Sequence, residues 1–575
     1  MKTVFSYFRN YKLTSILSPL FKLLEAVFEL IVPLVIKDII NNGINTGNTA
    51  YIKSRVLLLV LFAVIGIICA ICAQYFAAYS AAGISSDIRS DLFKRIQHLS
   101  VSDYEKIGSA NVITGLTSDV NQIQSGINLL LRLLLRSPFI VFGAMIMAFT
   151  INVKMALVFV VLISLLGMFV TLNMRKAIPA FKDSRKSLDE LVSLTDNGLT
   201  GVRVIRGFNR TKDDYEGFAV SDRKLNTLQK RAASISTWLN PVTFLLINLA
   251  VCFLLYKGAI KVDSGILTQG DMIALYNYMS QILVELIKLA NLIVTVSRAV
   301  ACAGRTEEIF AFLEERHDNA VTIPNEHEAH EIEFRNVSFG YEGASEDVLS
   351  DISFKVEKGG SLGIIGMTGS GKSTVSQLAA GLYSPSSGCI TIDGLDIDDI
   401  SRDSLYSSLS LCLQKARMFT GSIAYNIGLG RDGISEEDIR KASSVSCSDE
   451  IVQGKSEGYD YEIKGNGSGL SGGQKQRIGI ARSLAGNPGI IIFDDSTSAL
   501  DAATERKFLS NLKNLSQRPT VIFVSQKIKT VMDMDRIMLL EDGKVAAIAP
   551  HSELLKTSAS YRQLMQLQDK EDADD

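Results

Sequence analysis

Ser361-Leu362-Gly363-Ile364-Ile365 runs directly into Gly366-Met367-Thr368-Gly369-Ser370-Gly371-Lys372-Ser373-Thr374, and this junction decides the fold of the surrounding half of the chain. The five-residue apolar run reads as a buried strand, and the nine residues after it match GxxxxGK[ST] in full. Glycines let consecutive backbone N–H groups curl around a phosphate. Lys372 supplies charge to β- and γ-phosphates, Ser373 offers a hydroxyl to Mg²⁺, and the helix that follows points its N-terminus at the anion. A chance glycine-rich turn would not be expected between an apolar strand and a helix.

Downstream, Leu470-Ser471-Gly472-Gly473-Gln474 opens a second helix, with Ser471, Gly472, Gly473 and Gln474 as a further anion-binding turn. The strand Ile490-Ile491-Ile492-Phe493 follows and ends in Asp494-Asp495. An acidic residue at the carboxyl end of a buried strand beside a phosphate loop is a natural Mg²⁺ partner, which selects Asp494. Strand-like alternation begins at Ile332–Phe339, after a polar stretch over 315–330. Residues 321–575 therefore read as an α/β P-loop domain.

The first half is different in kind. The whole chain has 575 residues, 47% of them apolar and 21% charged, and its mean hydropathy is +0.21. Residues 56–86, 155–174 and 232–256 carry no Asp, Glu, Lys or Arg, and 137–153 is a shorter run of the same kind. A bilayer core takes about 20 apolar helical residues. The sequence predicts an all-α polytopic membrane domain over 1–320 with long cytosolic extensions, its six helices lying near 14–41, 56–86, 128–153, 155–174 with an extension, 232–257, and 271–297 with an extension. The first begins after Arg9 and Lys12 and reads as a retained helix rather than a cleaved signal.

The long connections carry Arg89, Lys94, Arg95, Lys106 and thirteen further Lys/Arg over 175–231; the short ones carry only Lys53, Lys154 and Lys261. That asymmetry places the long connections and both termini in the cytosol. A near-balanced charge, 59 Lys+Arg against 61 Asp+Glu, gives no basic excess for a nucleic-acid partner. Seven cysteines without framework spacing exclude a disulfide scaffold, and Cys69 and Cys72 read as small buried residues within a helix. Glu25 and Glu29 share one helical face, as do Arg132 and Arg136, at depths that allow ion pairing; a buried structural pair is favoured there over a substrate site. Gln281, Glu285, Lys288 and Asn291 on the last helix, and Tyr276 and Tyr278 beside them, are left between packing and cavity lining. The acidic end Asp569 to Asp575 reads as a solvated tail.

Six apolar helices followed by P-loop, LSGGQ, an Asp-terminated strand and Ser498-Ala499-Leu500-Asp501 resemble an ATP-binding cassette exporter half over essentially the whole chain. The resemblance implies ATP and Mg²⁺ as ligands. It implies that Tyr341 stacks on adenine, that Gln414 senses Mg²⁺ and contacts the membrane domain, and that Ser498 to Asp501 cross to the opposite site. It also implies coupling segments near 108–116 and 208–217. Two cassettes close head to tail in this family, each ATP lying between one P-loop and the other chain's LSGGQ, so one chain with one of each implies a dimer.

Two positions depart from the family pattern. A glutamate usually follows the Mg²⁺-binding aspartate, and here it is Asp495, one methylene shorter, a retreat of about 1.5 Å. General-base work needs a reach of about 2.6–3.2 Å. The expected histidine after Val521–Val524 is replaced by Gln526, and none of the five histidines lies between 331 and 550. Glutamine can donate to phosphate but cannot carry imidazolium charge. The paired departure resembles one half of a heterodimeric multidrug-type exporter with a degenerate site at its own P-loop and an intact LSGGQ serving a partner subunit. Lys464-Gly465-Asn466, ahead of LSGGQ, stands where exporters often carry an acidic residue. The expected role is export of amphipathic drugs, lipids or peptides across the plasma membrane. A homodimer using Asp495, an inward transporter of the same fold, and an ATP-gated sensor or channel are the alternatives.

Overall fold

The computed structural model describes residues 2–312, 321–341, 343–431 and 433–574; part of the polar linker, 313–320, lies outside them, as do the side chains of 2, 290, 466 and 569–575. The chain divides into two compact units, Met1–Gln97 with Ile107–Phe312, and His98–Lys106 with Leu313–Asp575.

Long helices make the first unit. Among the described residues, five are long and apolar enough to cross a membrane: Thr49–Gln97, Ser109–Ile151, Val153–Thr200, Thr211–Asp263 and Gln269–Ala311. The expected sixth span, near 14–41, is not among them; that stretch forms the helix Lys12–Asp38, 27 residues long. Lys22, Glu25 and Glu29 make it more charged than the others. At a rise of 1.5 Å per residue, the 49 residues of Thr49–Gln97 extend over about 73 Å, more than twice a hydrocarbon core. The apolar runs therefore sit inside far longer rods. The expected helix 128–153 is broken at Leu134–Leu135, between Val120–Leu133 and Arg136–Ile151.

Small side chains let the first two rods approach. Ala73, Ala77 and Ala81 are fully buried on one face of Thr49–Gln97. Ser18 Oγ donates to the Ala73 carbonyl at 2.9 Å and Ser80 Oγ to Thr14 Oγ1 at 2.7 Å. The last rod starts at a capping box, in which Thr268 Oγ1 accepts from the Asp271 amide at 3.1 Å and Asp271 Oδ2 accepts from the Thr268 amide at 2.9 Å. Lys37 Nζ reaches Asp271 Oδ1 at 2.8 Å and ties that start to the end of the first helix.

The paired charges foreseen on the first and third rods do meet, through one arginine. Arg136 Nη2 donates to both oxygens of Glu29 at 2.8 Å, and its Nη1 donates to Glu285 Oε1 at 2.6 Å. Arg132 takes no carboxylate among these contacts; its Nη1 lies 3.5 Å from Asn128 Oδ1. Tyr278 packs, fully buried, its hydroxyl donating to the Leu30 carbonyl at 2.7 Å, whereas Tyr276 is exposed.

The second unit is built on a six-stranded sheet ordered Lys544–Ala549, Arg536–Glu541, Ser361–Ile365, Thr520–Val524, Ile490–Asp494, Leu409–Cys412, parallel except for its first strand. Ile490–Asp494 and Thr520–Val524 are buried along their whole length, which is why they read as unbroken apolar runs. Phe493 and Phe523 meet with ring centroids 5.1 Å apart. A separate four-stranded antiparallel sheet runs Leu349–Val356, Ile332–Phe339, Ser387–Ile392, Leu395–Asp396. His98–Lys106 groups with this unit, where Tyr383 donates to Glu105 Oε2 at 3.1 Å. That segment lies just ahead of the 108–116 stretch marked for coupling, which belongs to the first unit.

Candidate nucleotide site

Four parallel strands end in one place: Ser361–Ile365 at the P-loop, Ile490–Asp494 at the paired aspartates, Thr520–Val524 at Ser525-Gln526, and Leu409–Cys412 just before Gln414. The carboxyl ends of parallel strands are where such sheets receive ligands. Two glycines of the loop are required by geometry. Gly371 adopts φ +94°, and a Cβ on Gly366 would lie 2.2 Å from the Leu540 carbonyl oxygen.

Lys372 is 8% exposed, and its Nζ donates to the carbonyls of Gly366 at 2.8 Å and Met367 at 2.7 Å, inside the curl of the loop. Ser370 Oγ is buried without a partner, a donor from which a phosphate oxygen would accept. Ser373 Oγ donates to Asp494 Oδ1 at 3.0 Å, so a hydroxyl and a carboxylate stand together. No cluster of three His, Cys, Asp or Glu is present among the described residues. Two hard oxygen donors with the remaining positions left to phosphate and water suit Mg²⁺, which is seldom caged by protein alone.

Burial pushes the carboxyls of Asp494 and Asp495 above the ordinary aspartate value, and for Asp494 the neighbouring charge of Asp495 adds to it; burial pulls Lys372 down. A cation binds only the ionised carboxylate. Mg²⁺-nucleotide affinity is therefore expected to rise with pH through a range above that of an ordinary aspartate, and to fall away as pH drops through it. Titrations across pH should show that rise flattened in Asp494→Asn.

Asp495 sits at φ +48°, its amide donating to the Val524 carbonyl at 2.9 Å. Its Oδ2 accepts from Gln414 Nε2 at 3.0 Å. Gln526 is exposed, and its carbonyl accepts from Gln568 Nε2 at 2.6 Å. Tyr341 OH lies 3.2 Å from Thr374 Oγ1 and donates to Gln377 Oε1 at 3.0 Å, tethering the ring to the P-loop helix. Ser471, Gly472, Gly473 and Gln474 close on themselves. Ser471 caps the helix Gly472–Leu484, accepting from the Gln474 amide at 3.3 Å while Gln474 Oε1 accepts from the Ser471 amide at 2.9 Å. Asp501 likewise caps Ala502–Lys513.

Two residues not foreseen join these pieces. Gln476 is 7% exposed; its Nε2 donates to the Gln414 carbonyl and to Ser498 Oγ, both at 3.2 Å, and its Oε1 accepts from the Ala499 amide at 2.8 Å. One buried amide thus binds the segments carrying Gln414, the LSGGQ helix and Ser498. A polar residue two places beyond LSGGQ, on a helix that must bury a face, was the available signal. Gln568, just ahead of the Asp569–Asp575 tail, was not foreseen because its partners come from tertiary packing; its Oε1 also accepts from the Ile528 amide at 2.8 Å.

Residues 15–286 match the ABC transporter transmembrane region and residues 349–498 match the ABC transporter domain. YfiB of Bacillus subtilis (strain 168), an ABC transporter ATP-binding protein, is 34% identical over 478 residues, 83% of this chain and 82% of its own length. Rv1273c of Mycobacterium tuberculosis (strain H37Rv), also an ABC transporter ATP-binding protein, is 30% identical over 82% of this chain and 81% of its own length. The structure of a bacterial Atm1-family ABC exporter with ATP bound shares the fold, with a TM-score of 0.82 over 98% of both chains at 23% identity. The chain belongs to the ABC transporter family. It is a membrane-spanning, ATP-hydrolysing transporter with the exporter half-transporter fold, of a kind that binds ATP and acts as a dimer.

Proposed function

We propose that the chain is one half of a heterodimeric exporter of amphipathic small molecules in the plasma membrane, with Lys12–Asp38 as a sixth crossing and both termini cytosolic. Its own P-loop site is slow, and its LSGGQ completes the competent site on the partner. The observation that carries this reading is the short carboxylate of Asp495, turned to Gln414 Nε2 at 3.0 Å, with Gln526 in place of a histidine.

Lys372 and the loop amides hold the phosphates in place, and Ser373, Asp494 and Gln414 are the positions for Mg²⁺. Bound there, the ion neutralises charge on the β- and γ-phosphates. Asp495 stands back from the attacking water, and Gln526 gives the γ-phosphate a neutral contact where an imidazolium would bring charge. ATP then acts at this site mainly as a clamp, while closure brings Ser471 and Gly472 onto the partner's nucleotide and turns the membrane helices between two states.

The test is ATP turnover of the pair. Asp495→Ala is expected to change it less than about twofold, while removing the partner's corresponding carboxylate costs about a hundredfold or more. Equal losses from both changes would favour two equivalent sites, as in a homodimer using Asp495.

A further inference from the structure

In the membrane unit, the first, third and last rods enclose an open-sided cavity of about 440 Å³, lined by the polar residues Glu29, Arg136, Asn277, Gln281, Glu285 and Lys288 and by an apolar wall including Ile36, Ile140 and Val284. Asn277, Gln281, Glu285 and Lys288 fall at i, i+4, i+8 and i+11, a single polar ridge along the last rod. The four ionic groups are two of each sign. Arg136 joins Glu29 to Glu285, and Lys288 Nζ donates to Glu285 Oε1 at 2.8 Å.

The buried members hold the geometry, and the other two present charge to the cavity. The side chains of Arg136 and Glu285 are 6% and 4% exposed, whereas those of Glu29 and Lys288 are 41% and 40% exposed. Two further groups are left without partners: Arg136 Nε, a donor, and Gln281 Oε1, an acceptor, are both buried and unbonded. The Gln281 amide is oriented by its Nε2, which donates to the Glu29 carbonyl at 3.1 Å. Buried polar atoms of this kind normally have a partner.

We infer that this cavity binds a zwitterionic amphiphile. Its cationic nitrogen meets the Glu29 carboxylate and Gln281 Oε1, its anionic group meets Lys288 and Arg136 Nε–H, and its apolar body lies along Ile36, Ile140 and Val284. The charge balance argues for this class. The four ionic side chains already sum to zero, so a singly charged ligand would bring an uncompensated charge out of water, while a zwitterion brings none. The inference rests on the transport reading above but not on the asymmetry of the nucleotide sites, because binding is measured without nucleotide.

The experiment uses the full chain with its partner subunit in lipid nanodiscs and three radiolabelled probes of matched chain length: a lysophosphatidylcholine, an alkyltrimethylammonium and an alkyl phosphate. The zwitterion should bind about tenfold or more tighter than either single ion, the scale of one lost charge-assisted hydrogen bond. Glu29→Gln should shift preference towards the phosphate, and Lys288→Gln towards the ammonium. A zwitterionic peptide bearing an apolar tail serves as a second source of the same chemistry and should compete with the lysolipid. Equal weakening of all three probes by both variants, or equal affinities in the unaltered chain, would overturn the inference. A loss of ATPase asymmetry with the charge preference intact would count against the slow-site reading alone.

Discussion

Gly472→Asp in this chain, assembled with its partner, should lower ATP turnover about a hundredfold or more while leaving nucleotide binding at this chain's own P-loop intact. Gly472 is the first residue of Gly472–Leu484, where helix amides and the positive end of the dipole are offered to an anion. An aspartate there places a carboxylate where the partner's γ-phosphate would approach. Folding should survive, because the nearest atom a Cβ on Gly472 would meet is Ala499 Cβ at 3.9 Å, ordinary contact distance. Turnover of the pair and nucleotide titration of the separated chain check the two halves of the expectation. A variant that loses less than about threefold in turnover would show that this turn does not serve the partner.

Arg136→Met is the second large effect, and it falls on stability. Glu285 is 3% exposed, with its Oε1 accepting from Arg136 Nη1 and from Lys288 Nζ, and its Oε2 from Ser137 Oγ at 2.7 Å. Removing the guanidinium leaves a buried carboxylate short of charge and also releases Glu29. Breaking a buried pair in this way costs about 3–5 kcal/mol. The melting temperature of the detergent-solubilised chain should fall clearly. Arg136→Met with Glu285→Gln should recover part of that loss, since the stranded charge is gone. An additive double variant would place the arginine's contribution elsewhere.

How far the sequence could be read follows from the range of each interaction. The P-loop, LSGGQ and the buried strands are local patterns, and Ser361–Ile365 or Ile490–Phe493 are recognisable because both sheet faces are covered. The pairing of the first and third rods was legible because Glu25 and Glu29, and Arg132 and Arg136, repeat at helical spacing. Which arginine takes the carboxylates was not. Arg136 starts a new helix after the break at Leu134–Leu135, and Glu285 joins it from 149 residues away. Gln476 and Gln568 escaped for the same reason, their partners being set by tertiary packing. Spans were placed by apolar runs and their cytosolic extensions by the helical pattern of the long connections, and Val153–Thr200 does run on well beyond its apolar stretch, since helices end at caps and turns and not where lipid ends.

The proposed asymmetry requires a cassette that holds ATP and splits it slowly. Its most direct test is the steady-state ATPase rate of the purified chain alone, measured beside that of the assembled pair at saturating Mg²⁺-ATP. The isolated chain is expected to bind nucleotide and yet turn over at less than about one hundredth of the pair's rate. Comparable rates from the two preparations would contradict it.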